Sequence, residues 1–314
     1  MPTEDKIFDK KLDYLDKREL GLKKSVSLAE RWIYNKIISE VVPTLKTKNG
    51  SIVNSTQNVN TLTAGLNRLF KEFGRTVNRN LVNQVVTDFQ GISAVNNEFF
   101  TLISDKSATG FKNITSTVET LMQRSLGYQA NGTIASDSFL ASLTSNAEIN
   151  KQIRELALKN IQGGSTIRNF TSELSTAIKT NKDGLGVMNK YYRQTVNDRY
   201  SQYERAESKS YADLLELQAF IYAGGKVTDT RKFCCQRNRK VFLREETKKW
   251  SGLKWQGKNK GYVPLVDLGG YNCRHSTQWI SNARALRLRP DLKLSKTGKL
   301  IPDRTKPRQK LNRC

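Results

Sequence analysis

A single histidine, His275, stands in the 314 residues of this chain, and that count excludes every mechanism needing two imidazoles. Four cysteines, Cys234, Cys235, Cys273 and Cys314, are too few for the disulfide scaffold of a small secreted domain. No stretch approaches the roughly 20 apolar residues needed to span a bilayer. Residues 1–30 are charged throughout and lack the apolar run of a signal peptide. The expectation is a protein made and kept in the cytoplasm unless something else carries it out. There is no paired-carboxylate site and no phosphate-cradling glycine loop, because GKNKG (257–261) and GGYN (269–272) are turns without strand–helix context. RNP1 and GXXG signatures of RNA-binding modules are missing too.

Acidic residues are also in short supply. Lys and Arg number 53 against 29 Asp and Glu, a formal net charge of +24. The excess is uneven. Residues 217–314 carry 24 basic and 6 acidic residues, a net +18, whereas residues 1–216 carry 29 and 23, a net +6. Such a block attracts a polyanion. Apolar residues make up 37% of the chain, enough for a core and above the disordered range.

The pattern predicts an α+β protein: mainly helical over its N-terminal two-thirds, then a small mixed α/β domain and a basic tail. Leu28, Trp32, Ile33, Ile37 and Ile38 recur at helical spacing up to Pro43. TKNGSIVNSTQNVNT reads as a loop. Leu62, Leu66, Leu69, Phe70 and Phe73 form a second stripe, and Leu81, Val85, Val86 and Phe89 extend it. Residues 97–122 add helix broken near Ala108–Gly110, and the Ser/Asn-rich stretch 126–150 reads as a linker with a short helix. A helix follows over Ile167–Ile178, then a KDGLG turn at 182–186, then a long helix from about Asn189 to Phe220. Five tyrosines between 191 and 211 fit a packing stripe better than a base-stacking platform. From Ala223 the period changes, and KVTDT, RKVFL, GYVPLVDL and HSTQWIS read as short strands. Eleven basic residues against two Asp make residues 284–314 a tail expected to order only on a partner. The domain boundaries so drawn are 1–150, 151–283 and 284–314.

Chemistry concentrates in VTDTRKFCCQRNRKVF (227–242) and VPLVDLGGYNCRH (263–275). Cys and His suit zinc, so Cys234 or Cys235, Cys273 and His275 are candidate ligands, with Asp229 or water as a fourth. Three other readings stay open: buried small cysteines, a disulfide from Cys273 to Cys234 or Cys235, and a histidine that locks the turn. A catalytic Cys–His pair is disfavoured, since nothing supplies the third group that orients the imidazole. Arg231, Arg237, Arg239 and Arg274 crowd the same segments and suit either phosphate or the carboxylates of Asp229 and Asp267.

The order of these segments resembles the C-terminal domain of phage head morphogenesis proteins, the minor capsid proteins similar to phage Mu protein F. RAESKSYADLL is followed by a Gly-rich turn, TDTRKFCCQR and GGYNCRH. Asp229, Arg231 and Cys234 match that family's D-x-R-x-C segment, and Asn272, Cys273, Arg274 and His275 its N-C-R-[CH] segment. The likeness covers roughly residues 150–282; the doubled Cys234-Cys235, and no histidine before Asn272, depart from the commonest pattern. The resemblance implies a virion protein near the portal or inner capsid and packaged double-stranded DNA, without established enzymatic activity.

Phosphate contact is expected from the four arginines above with Lys240, and from the tail. In the tail the candidates are Arg284, Arg287, Arg289, Lys293, Lys296 and Lys299, continuing to Arg304, Lys306, Arg308 and Lys310. The alternative is an enzyme that processes nucleic acid, a nuclease or nucleotide transferase using the His275/Asp229 region.

Overall fold

The computed structural model describes residues 3–104, 106–181, 184–192, 196, 198–225, 228 and 230–314. The fold is mainly helical α+β, with small sheets chiefly in the C-terminal part. Helices α1 (Glu4–Lys36), α2 (Thr56–Phe73), α3 (Arg79–Ile103) and α4 (Ala108–Leu126) come first, with hairpin β1 (Thr47–Lys48) and β2 (Ser51–Ile52) before α2. Then follow α5 (Phe139–Ser145), α6 (Ala147–Gln162), α7 (Ile167–Ile178), α8 (Val187–Tyr192) and α9 (Asp198–Leu214). The last hundred residues hold β3 (Ala219–Ala223), α10 (Lys232–Arg237), β4 (Lys240–Leu243), a 3-10 segment (Arg244–Gly252) and α11 (Pro264–Asp267). They end with β5 (Ser276–Ile280), α12 (Asn282–Leu288), β6 (Leu292–Leu294) and β7 (Leu300–Pro302). Among the described residues, no helix is long and apolar enough to cross a membrane.

The chain divides into two compact units. One comprises Met1–Lys17, Phe89–Gln123 and Asn197–Cys314; the other comprises Arg18–Asp88 and Arg124–Val196. Cuts at 150 and 283 yield contiguous stretches, whereas each unit gathers separated ones.

The second unit is helical and follows its amphipathic stripes. Leu62, Leu66, Leu69, Phe70 and Phe73 of α2 are all buried. Ser55 caps α2 by accepting the Asn58 N–H at 3.2 Å. The buried Asn58 side chain then donates to the Lys46 and Val53 carbonyls, tying the hairpin to the helix. The stretch expected to be a linker with a short helix holds that helix as α5, whose Leu140 and Leu143 are buried. Its Ser/Asn richness serves the helix ends: Ser138 caps α5, and Asn146 turns the chain at φ 50° into α6. The expected KDGLG turn includes Lys182 and Asp183, which lie outside the described residues.

The first unit contains the site. Here α1 begins far upstream of Leu28, because sparse apolar residues such as Ile7 and Phe8 are buried together with Lys11. On α9 the tyrosines pack: Tyr203 lies 4.6 Å from Phe89 and Tyr211 stacks on Phe100 at 4.7 Å, ring centre to ring centre. The expected helix to Phe220 is corrected at its C-terminal end. Residues 193–195 and 197 lie outside the described set, and α9 stops at Leu214. The run AFIYA becomes β3, the centre of an antiparallel sheet ordered β4-β3-β5. A short apolar run fits either element by periodicity, and here strand pairing on both sides decides. RKVFL and HSTQWIS hold strands β4 and β5 as expected, but PLVD is a helical turn with Pro264 at its start. Three residues of KVTDT, Lys226, Val227 and Asp229, lie outside the described residues.

The tail is the largest correction. It folds back on the sheet: Ala285, Leu292 and Leu300 are buried with Ala219, Val241, Leu243 and Ile280. A few well-spaced apolar residues suffice once a sheet face receives them. Strands β6 and β7 pair antiparallel beyond α12. Further on, the Gln309 amide bonds both backbone groups of Val241, at 3.2 Å to its N–H and 2.8 Å to its carbonyl. That contact covers part of the edge strand β4.

Candidate metal centre

Cys234 lies on α10, Cys273 in the loop after α11, and His275 just before β5. They are 3%, 3% and 4% exposed. Cys234 Sγ is 3.8 Å from Cys273 Sγ, and Cys273 Sγ is 3.9 Å from His275 Nδ1. One ligand atom from each lies within 4.8 Å of the others. A tetrahedral metal with sulfurs at about 2.3 Å sets them about 3.8 Å apart. The two thiols therefore stand at the separation such an ion needs. His275 turns Nδ1 toward the sulfurs, and its Nε2 is buried without a hydrogen-bond partner. The cluster could hold a metal.

Close approach around the sulfurs requires glycine. A Cβ on Gly269 would fall 2.1 Å from Cys234 Sγ and 2.9 Å from Cys273 Sγ. A Cβ on Gly224 would meet the His275 Cα at 2.8 Å. The Gly269 N–H instead donates to Cys273 Sγ at 3.3 Å, and its carbonyl accepts the Trp255 indole N–H at 2.9 Å.

Tyr222 of β3 closes one side of the cluster. Its hydroxyl donates to Cys234 Sγ at 3.3 Å, and its ring lies 5.1 Å from His275. Burial first, then the neighbouring sulfurs, push its hydroxyl well above the usual phenol value. From α9, the buried Arg205 donates to the Asp267 and Cys273 carbonyls, both at 2.9 Å. Hydrogen bonding from Cys234 holds the Cys273 thiol well below its ordinary value against burial, with His275 and Arg205 adding to the effect. Cys234, the donor of that bond, is pushed up in return. A lowered thiol at the centre favours the thiolate form that metals take.

Cys235 does not join the cluster. It is bonded to Cys314, a pairing outside the alternatives weighed from the sequence. Successive residues on a helix point about 100° apart, so Cys234 faces inward while Cys235 faces the tail. Cys234 and Cys273 are free thiols. The proposed fourth ligand, Asp229, lies outside the described residues. Tyr222 and Arg205 were not singled out as site residues; each approaches the cluster only through sheet and helix packing. Asp267 serves structure: its carboxylate accepts the Val263 N–H and the Asn259 amide, both at 2.6 Å.

The candidate phosphate contacts separate sharply. Arg237, 6% exposed, lies over the Phe233 ring at 3.7 Å and donates to the Phe233 carbonyl. Arg289, 5% exposed, pairs with Glu246 and Asp291. Arg284 pairs with Glu4 and Asp5. These three hold the unit together rather than meet a ligand: carboxylates already engage Arg284 and Arg289, and the Phe233 ring and carbonyl engage Arg237. Arg231 is half-buried and packs close to Gly257. Lys240 is also half-buried, on β4. Arg239, Arg274, Arg287, Lys296 and Lys299 are exposed, and exposed Lys293 pairs with Asp303 at 3.2 Å. Arg304, Lys306, Arg308 and Lys310 are exposed as well.

Compared with protein-family models, with curated proteins and with solved structures, the chain matches none.

Proposed function

We propose that this chain is a minor head protein of a bacteriophage, a structural and non-enzymatic virion component. It assembles in the host cytoplasm, associates with the portal or inner capsid proteins, and meets packaged double-stranded DNA through contacts to phosphate. The observation that carries this reading is the meeting of the two resemblance segments. TDTRKFCC and NCRH are distant in sequence, yet Cys234 and Cys273 lie side by side. The net +18 of residues 217–314 and their exposed cations support the DNA contact.

In this reading Cys234, Cys273 and His275 hold zinc. The ion would supply a crosslink between α10 and the loop that leads into β5. The burial of His275 favours such a clasp over the general acid or base of a nuclease.

A gel shift on unrelated duplexes across a salt series tests the DNA contact. Binding should fall linearly on logarithmic axes, by about 0.9 in slope for each phosphate neutralised. Salt-insensitive or strongly sequence-selective binding would refute it.

A further inference from the structure

The last segment, 303–314, has an unusual construction. It carries five cations, Arg304, Lys306, Arg308, Lys310 and Arg313, and one carboxylate, Asp303. All five are exposed, and among the described residues none has an ion-pair partner. Asp303 is already engaged by Lys293 and Thr305. The segment has no regular strand or helix of its own, yet beyond Asp303 it is held to the body at three points. Gln309 bonds the Val241 backbone in both directions. Asn312 donates its side-chain amide to the Cys235 and Asn238 carbonyls, and its backbone N–H to the Gln236 carbonyl. The Cys235–Cys314 bridge closes the end onto α10. The polar amides face in and the cations face out.

A free basic arm would lose conformational freedom on meeting a polyanion. A strap fixed in advance loses less, and binds more tightly for the same charge. We propose that this strap is a pre-organised contact rail for the phosphodiester backbone of duplex DNA, and that the Cys235–Cys314 bridge sets its affinity. The inference rests on the DNA-binding reading and adds its location and its control. Closing the bridge breaks two S–H bonds and forms one S–S bond. Two electrons and two protons pass to a small-molecule disulfide, which leaves as two thiols; a dithiol reverses the exchange. The strap is thus loose where thiols are kept reduced and fixed where they are oxidised.

The experiment is a salt titration of binding to an unrelated duplex with bridged protein, dithiothreitol-reduced protein, reoxidised protein, and the Cys314→Ser and Arg308→Gln/Lys310→Gln variants. Reduction leaves Cys234 and Cys273 as they are, since both are already thiols. Reduction and Cys314→Ser should each weaken binding about tenfold with the salt slope unchanged, because no charge is lost. Reoxidation of the reduced protein should restore the affinity. Arg308→Gln/Lys310→Gln should lower the slope by about 2. Equal affinity of bridged, reduced and Cys314→Ser protein would overturn the role of the bridge. An unchanged slope in the double variant would overturn the rail while leaving the DNA reading intact. Equally tight binding to phosphatidylglycerol vesicles, with the same dependence on these residues, would overturn the assignment to DNA. If bridged protein binds no duplex at low salt, the DNA reading itself fails. Tryptic cleavage at Arg308 and Lys310, fast only after reduction, then reads the latch separately.

Discussion

Lys11 and Glu204, 193 residues apart in sequence, form a fully buried ion pair at 2.6 Å. The pair joins the start of α1 to α9, beside the helix turn that carries Arg205. Burial pushes the Glu204 carboxyl up, but Lys11 together with the Ser276 and Ser208 hydroxyls outweighs it and holds the group below its ordinary value. Removing one partner leaves the other charged and unpaired in the core. Lys11→Ala should therefore lose about 3–5 kcal/mol of stability, and Lys11→Met with Glu204→Leu considerably less. Denaturant unfolding of the three proteins measures both.

One turn along α9, Glu207 behaves in the opposite way. Burial raises its carboxyl from 4.5 to about 7, although Asn96 donates to it at 2.6 Å. Between those values the folded chain keeps a proton that the unfolded chain has released. Its contribution is present in full below about 4.5 and is lost as pH climbs through about 7. Glu207→Gln should flatten this part of the stability profile and raise stability above pH 7. Thermal unfolding of both proteins from pH 4 to pH 9 follows it; parallel profiles would refute the assignment.

Gly269 is a steric requirement of the thiol cluster. Gly269→Ala should cost about 1–3 kcal/mol, since the new methyl falls on the Cys234 sulfur. The same change at Gly252, where a Cβ meets nothing within 4 Å, should be near neutral. Unfolding midpoints of the two variants give the comparison.

Zinc in the cluster predicts one metal atom per chain in protein purified without chelator. Cys273→Ser and His275→Ala should each lose it, whereas Cys235→Ser should retain it, because Cys235 belongs to the Cys314 bridge. Elemental analysis counts the metal, and a chelator should lower the unfolding temperature of the wild-type and Cys235→Ser chains and leave those of Cys273→Ser and His275→Ala unchanged.

Where apolar residues alone carried the packing, the architecture was readable in advance. The α2 stripe from Leu62 to Phe73 is an instance, since each of its members is buried. The start of α1 was hidden because Lys11 occupies a core position, which only the partner Glu204 makes tolerable. Strand β3 read as helix because Phe220, Ile221 and Tyr222 fit both periods until β4 and β5 pair with them. At the site, Cys234, Cys273 and His275 were legible as residue types suited to zinc, a disulfide or a packed turn, whereas Cys235, named with them, belongs to the Cys314 bridge. Their partners Tyr222 and Arg205 were not, because a tyrosine in a strand and an arginine on a polar helix carry no local sign of a tertiary contact. The tail misled for a related reason: its charge density masked Leu292, Leu300, Gln309 and Asn312, which bind it to the sheet and α10.

The central claim is membership of the virion, and mass spectrometry of purified particles tests it most directly. DNA-filled particles should contain peptides of this chain at a few copies each, retained after nuclease and high-salt washing. Particles that package DNA normally yet contain none of it would contradict the account.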